Sequence, residues 1–146
     1  LLDRVALSVK VTGEQDPDKR AEIIKRRLSY ETDPEEFVNQ WKDEQEKEVS
    51  RIERAMDLLP RISISDDMLL IAAKIAIILK VDGHRADITL IKTAETIAAL
   101  EGHLEVSKED IRKASRLALP HRMRRRPFEE QELDWSEVDK VIDDEA

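Results

Sequence analysis

The chain has 146 residues, 40% of them hydrophobic and 40% charged, with 25 Lys and Arg against 33 Asp and Glu for a formal net charge of −8. That size suits one domain of ordinary dimensions or a small domain with an extension, and the acidic balance argues against a globally steered DNA binder. With no cysteine, three glycines and 3% aromatics, disulfides, thiolate nucleophiles and zinc–thiolate sites are excluded, and long helices with a core of Leu, Ile, Val and Ala are favoured.

The opening Leu1-Leu2-Asp3-Arg4 has no methionine, so the expectation is a piece of a larger protein, and no basic n-region marks a signal peptide. Val5, Leu7, Val9 and Val11 alternate with Ala6, Ser8 and Lys10, which is strand periodicity. The partner strands of such an orphan strand are expected outside this chain. Asp16 and Pro17 then open a first helix, and Asp33 and Pro34 repeat the same start signal, with Glu36 placed to close a capping box. This second helix is expected to run to about Leu59, before Pro60. Val38, Trp41, Gln45, Val49, Ile52, Met56 and Leu59 give it a narrow seam on an otherwise charged surface, which predicts an arm packed along one side.

Ser65 caps a third helix, apolar nearly all round and expected to be the most buried. Its run "MLLIAAKIAIILK" is too short to span a bilayer and is interrupted by Lys74. A fourth helix follows within "VDGHRADITLIKTAETIAAL", with Asp82 as the expected N-cap and Gly102 near its end. Ser107 with Asp110 in capping-box position begins the fifth. Arg122, Arg124, Arg125 and Arg126 form a basic cluster, and Glu129 to Ala146 hold nine acids and a single lysine. That last stretch reads as an acidic linker or a weakly docked helix, with Trp135, Val138 and Val141 as its contacts. The fold class is all-α, a bundle of about five helices preceded by one strand. The divisions are 1–15 for the strand, 16–128 for the helical domain and 129–146 for the tail.

No phosphate-binding loop, paired-histidine zinc motif or Gly-x-Ser-x-Gly turn occurs, and His84, His103 and His121 have no ligand spacing among themselves. The many carboxylates read as solvated helix faces, and no metal site is expected. Arg85 stands apart. With Asp82 as N-cap it falls at the third helical position, where a capping box would have a carboxylate and where the positive end of the helix dipole disfavours a cation. It pairs with Asp82 or Asp87, simply points into water, or meets a phosphate where helix N–H groups already favour an anion. Gly83 would let the backbone approach closely. Arg4 has Asp3 beside it, so on spacing alone the pair is a surface ion pair of little energy.

These residues together suggest a family. "LLDR" leading into an alternating strand, followed by helices, "VDGHRADI" and "HRMRRRPFEE", resembles the C-terminal part of magnesium-chelatase AAA+ subunits, from Leu1 to about Glu130. The lid plan is shared with MoxR-type ATPases, but the long second helix and the "HRMRRRPFEE" ending favour the chelatase side.

The resemblance implies that Arg85 is the sensor-2 arginine, reaching nucleotide phosphates from the lid of its own subunit, with Gly83 and His84 as backbone-positioning neighbours. It implies that Arg4 is an arginine finger offered to the next subunit's nucleotide, with Asp3 orienting it in the interface. ATP and Mg²⁺ would be cofactors of the parent protein and not of the fragment alone, which should be inactive because the P-loop, the Mg²⁺-binding acids and the central sheet are absent. The partners implied are a homo-oligomeric AAA+ ring and other chelatase subunits, with neither membrane nor nucleic acid, in the cytoplasm. The activity implied is Mg²⁺ insertion into protoporphyrin IX, with porphyrin bound by a separate large subunit. Val5 stands where members often have Phe, a conservative loss of packing. Mg²⁺ versus Co²⁺, and an I-type subunit versus an I/D fusion, stay open. The rival readings are the lid of a MoxR-type chaperone for a metal-cofactor protein and, from another class, a nucleic-acid-binding module using Arg112, Lys113, Arg116 and the cluster at 122–126.

Overall fold

The structure, a computed structural model, describes residues 4–81, 83–122 and 135–144. Among them are seven α-helices: α1 (Pro17–Thr32), α2 (Pro34–Gln40), α3 (Lys42–Leu58), α4 (Asp66–Ile78), α5 (Arg85–Glu101), α6 (Lys108–Ala118) and α7 (Trp135–Asp143). The chain divides into two compact units, Lys10–Glu53 and a larger one made of Leu1–Val9 with Arg54–Ala146.

In the smaller unit Asp16 and Asp33 cap their helices as read, but Glu36 does not close the expected capping box, because the Asp33 N–H is bonded to Ser29 O. Asp16 Oδ1 accepts from the N–H groups of Asp18 at 2.9 Å and Lys19 at 3.4 Å. Asp33 serves twice, its N–H closing α1 on Ser29 O and its Oδ1 accepting from Glu36 N–H at 3.0 Å to open α2. Tyr30 and Phe37 meet edge to face with centroids 5.7 Å apart, and Arg26 lies 4.4 Å over the Trp41 ring.

The single helix expected from Asp33 to Leu59 is broken at Trp41. Its N–H bonds to Val38 O, three residues back, at φ −98° and ψ 3°, so the turn tightens where its ring is engaged by Phe37 and Arg26. The seam on α3 is not covered either: Val49, Ile52 and Met56 are exposed, and Ala55 alone of that helix is buried.

The larger unit holds the core. Ile71 and Ile75 of α4, Leu90, Ala94 and Ala98 of α5, Ile111, Ala114 and Ala118 of α6, and Val138 and Ile142 of α7 form one cluster without solvent contact. The alanines let the axes of α5 and α6, the most extensively packed pair, come close. Helix α4 is capped by Ser65 Oγ but is not buried all round, because its neighbours cover one side: Ile77 remains 75% exposed. Ser107 and Asp110 form the expected capping box, with Ser107 N–H donating to Asp110 Oδ2 at 2.8 Å and Asp110 N–H donating to Ser107 Oγ at 3.2 Å. Gly102 ends α5 in the left-handed region at φ 82°, allowing His103 N–H to reach Ala98 O at 2.8 Å.

A further expectation is corrected. Residues 5–11 form no strand among the described residues, because a strand needs a ladder partner. Ser8 N–H instead donates to Leu117 O, at the end of α6, at 2.9 Å. Of the two readings of the acidic tail, linker or docked helix, the residues from Trp135 onward take the second, with Trp135 and Val141 packed against the core as expected. Val138 and Ile142, four apart on one face of α7, are fully buried against the core. Arg112 holds the flank of that face, reaching Asp139 at 3.0 Å and Asp143 at 2.6 Å. None of the described helices is long and apolar enough to cross a membrane.

Candidate functional site

The turn between α4 and α5 is built from two left-handed residues. Lys80 sits at φ 50°, an uncommon conformation for a side chain with a Cβ. It lets its own N–H bond Ile77 O and Val81 N–H bond Ala76 O, each at 3.0 Å. Gly83 follows at φ 77°, and a Cβ there would meet nothing within 4 Å. The backbone conformation therefore requires this glycine, and open space lies in front of it.

Asp82, the expected N-cap, lies outside the described residues. His84 occupies the N-cap position with φ −67° and ψ −8° and makes no side-chain cap hydrogen bond. Arg85 is thus the first residue of α5 and not the third. The correction moves its cation still nearer the end where unpaired N–H groups concentrate positive charge. Ala86 and Leu90, both fully buried, anchor this turn to the core, while His84 and Arg85 face outward. His84 Nδ1 lies 3.4 Å from Asp87 Oδ2, with the imidazole 99% exposed. Gly83, His84 and Arg85 therefore form one contiguous outward-facing turn at the start of α5, in which an exposed cation and the helix N-terminus lie beside open space. That combination suits an anion such as phosphate.

Arg4 is exposed at the head of a segment tied to the far end of α6, whereas Asp3 lies outside the described residues. Three bonds make the tie besides that of Ser8 N–H. His121 Nε2 lies 2.6 Å from Val5 O, His121 Nδ1 lies 2.9 Å from Ser8 Oγ, and the Arg122 guanidinium donates to Val5 O at 3.1 Å. No local pattern could have revealed this tie, since its partners stand more than a hundred residues apart in the chain.

The remaining candidates do not assemble a site. Arg112, Lys113 and Arg116 are each met by carboxylates: Glu109, Asp139 and Asp143 around Arg112, Glu101 at 3.2 Å from Lys113, and Asp139 at 3.7 Å from Arg116. The hydrogen bond to Glu109 is the main cause that raises the Arg112 pKa above its ordinary value, with Asp139 and Asp143 adding to it. The acidic helix α7 thus neutralises much of the positive face on which the nucleic-acid reading relied. Arg124, Arg125 and Arg126 lie outside the described residues. A groove of about 370 Å³ between α4 and α5 is lined chiefly by Leu69, Ala72, Ile88 and Ile91, an apolar wall that offers little to a phosphate. Among the described residues no group of three or more His, Asp or Glu could hold a metal ion.

Comparison with known proteins places these features in context. Residues 70–143, which contain α5, α6 and α7, match the family model of the AAA lid domain. The chain is 41% identical over 144 residues to the magnesium-chelatase subunit ChlI homolog of Methanocaldococcus jannaschii, covering 99% of this chain and 40% of that protein. It is 39% identical to the magnesium-chelatase 38 kDa subunit of Chlorobaculum parvum, over 88% of this chain and 37% of the relative. With the magnesium-chelatase subunit ChlI of Synechocystis sp. the identity is 34%, over 97% and 40%. The chain therefore spans about two fifths of the length of these relatives.

Proposed function

Since this chain belongs to the AAA lid domain family, we propose that it is the lid of an ATP-hydrolysing AAA+ protein, with Arg85 as its nucleotide sensor. The observation that carries the reading is the place of Arg85, exposed on the first residue of α5 beside a left-handed Gly83. The helix dipole opposes a cation at a helix start, and the same N–H groups that oppose it welcome a phosphate, so a phosphate bound there would draw on both. Arg85 would then contribute a charge-assisted, bidentate contact. Gly83 sets the backbone of the turn, and His84, held near Asp87, orients its outer side.

ATP with Mg²⁺, bound by residues beyond this chain, supplies the phosphoryl group whose transfer releases the driving energy. This chain contributes the cation at the lid and, through Arg4, a second cation offered to the neighbouring subunit of a ring. A finger of that kind stabilises charge spread over the transferred phosphoryl and is worth on the order of 10³–10⁵ in rate. Asp3 would stand beside it in the interface. Given the similarity to magnesium-chelatase subunits along nearly the whole chain, the ring would act with other chelatase subunits to drive Mg²⁺, here a substrate, into protoporphyrin IX. The work would take place in the cytoplasm.

The test is nucleotide binding and ATPase activity of the full-length protein bearing this chain. Arg85→Ala is expected to weaken ATP binding and lower turnover, and Arg85→Lys to restore charge but only part of the activity, because an ammonium cannot make the bidentate contact. Unchanged binding and turnover in Arg85→Ala would return Arg85 to a surface role.

A further inference from the structure

We infer that His121 is a positioning residue for Arg4, acting by strapping the segment that carries Arg4 to the C-terminal end of α6. The inference rests on the reading of Arg4 as a finger. The segment 5–8 has no ladder of its own, so its direction is set by what holds its polar groups. Both hydrogen-bonding atoms of the imidazole are committed to it, Nε2 to Val5 O at 2.6 Å and Nδ1 to Ser8 Oγ at 2.9 Å. A carbonyl oxygen only accepts, so Nε2 carries the proton, and in the neutral ring Nδ1 accepts from the Ser8 hydroxyl. Val5 is bonded to the residue after it in the strap as well, by the Arg122 guanidinium at 3.1 Å, while Ser8 N–H is taken by Leu117 O at 2.9 Å.

Four bonds from one short stretch, Leu117 to Arg122, thus fix the backbone within one residue of Arg4. That stretch ends α6, whose other residues Ile111, Ala114 and Ala118 sit in the core shared with α5. Arg85 begins α5. The strap therefore places the two candidate nucleotide-facing cations on one packed body, and a movement of the lid would carry Arg4 with it. Rigid placement matters because a displacement of about 1 Å in a group that acts on a transition state costs on the order of 100-fold.

The experiment uses the full-length protein bearing this chain, with steady-state ATPase kinetics and amide exchange of residues 5–8 measured together. His121→Phe keeps a ring and loses both bonds. It is expected to speed exchange at Ser8, lower kcat by roughly 10- to 100-fold and leave KM for ATP unchanged. His121→Gln, which keeps a donor at similar reach, should recover most of the loss. Ser8→Ala removes one bond without touching α6, so it should give a smaller fall in kcat of the same kind. In an Arg4→Ala background, His121→Phe should lower kcat no further. Unchanged exchange in His121→Phe would overturn the strap. Faster exchange with unchanged kcat, while Arg4→Ala is impaired, would overturn the positioning role, as would a further fall in the Arg4→Ala background. Full activity of Arg4→Ala would remove the finger itself, and the positioning role with it, whatever the exchange data show.

Discussion

Ile142→Ala tests whether α7 belongs to the core. The side chain is fully buried, on a helix that reads from sequence as part of an acidic tail. The substitution removes three carbon atoms, about 2.4 kcal/mol at roughly 0.8 kcal/mol each. The unfilled cavity adds to that, for a total of about 2–5 kcal/mol, and the better helix propensity of Ala returns only a few tenths. Trp135 packs against the same core, and the chain has only one other tryptophan, Trp41. In a Trp41→Phe background, urea unfolding followed by fluorescence therefore reports the larger unit alone. With a slope of about 1–3 kcal/mol per molar, the midpoint should fall by roughly 1–2 M. Glu137→Ala, exposed on the same helix, should move it by only about 0.5 kcal/mol or less. Equal, small shifts for both variants would refute the reasoning and return α7 to a linker.

Other outcomes follow from particular backbones and charges. Lys80→Gly should stabilise the larger unit by up to about 1 kcal/mol by relieving the left-handed strain, whereas Gly102→Ala should destabilise it by about 1–2 kcal/mol at φ 82°. Thermal unfolding of the pair checks that opposition of sign. Asp110→Ala should cost about 1–2 kcal/mol, because it removes the carboxylate that accepts from Ser107 N–H and Oγ. Hydrogen exchange at Ser107 should report the loss directly. Arg112→Met should loosen α7 by about 1 kcal/mol at low salt, with a smaller effect at high salt, since its carboxylate partners are partly exposed. Urea midpoints at two ionic strengths measure that difference.

Helix starts were legible because each rests on local chemistry: a short polar side chain accepts from an N–H two or three residues on. Asp16, Asp33, Ser65 and Ser107 all do so. Gly102 was legible for the same reason at a helix end. What escaped was set by distant packing. The break at Trp41 comes where its ring meets Phe37, one turn back, and Arg26 on α1. The docked helix α7 is one of two readings of the tail, and Trp135, Val138 and Val141 read as its contacts, but Ile142 among many acids does not, and the spacing cannot choose between helix and linker. The alternation at residues 5–11 was real, but periodicity cannot supply a partner strand, and Ser8 found Leu117 and Val5 found His121 instead. At the site, the oddity of Arg85 could be read from one turn of sequence. Its place as the first helical residue could not, because that depends on the left-handed backbone at Lys80 and Gly83.

The central claim is that this lid places a cation in the nucleotide site of a neighbouring subunit, and one mixing experiment tests it most directly. Subunits of the full-length protein carrying Arg4→Ala with an intact P-loop are combined with subunits that carry Arg4 but a disabled P-loop, each inactive alone. Recovery of ATPase activity in the mixture is the predicted result, since the second subunit lends its arginine to the first one's nucleotide. Wild-type activity of Arg4→Ala by itself, or a mixture as inactive as its parts, would contradict the account.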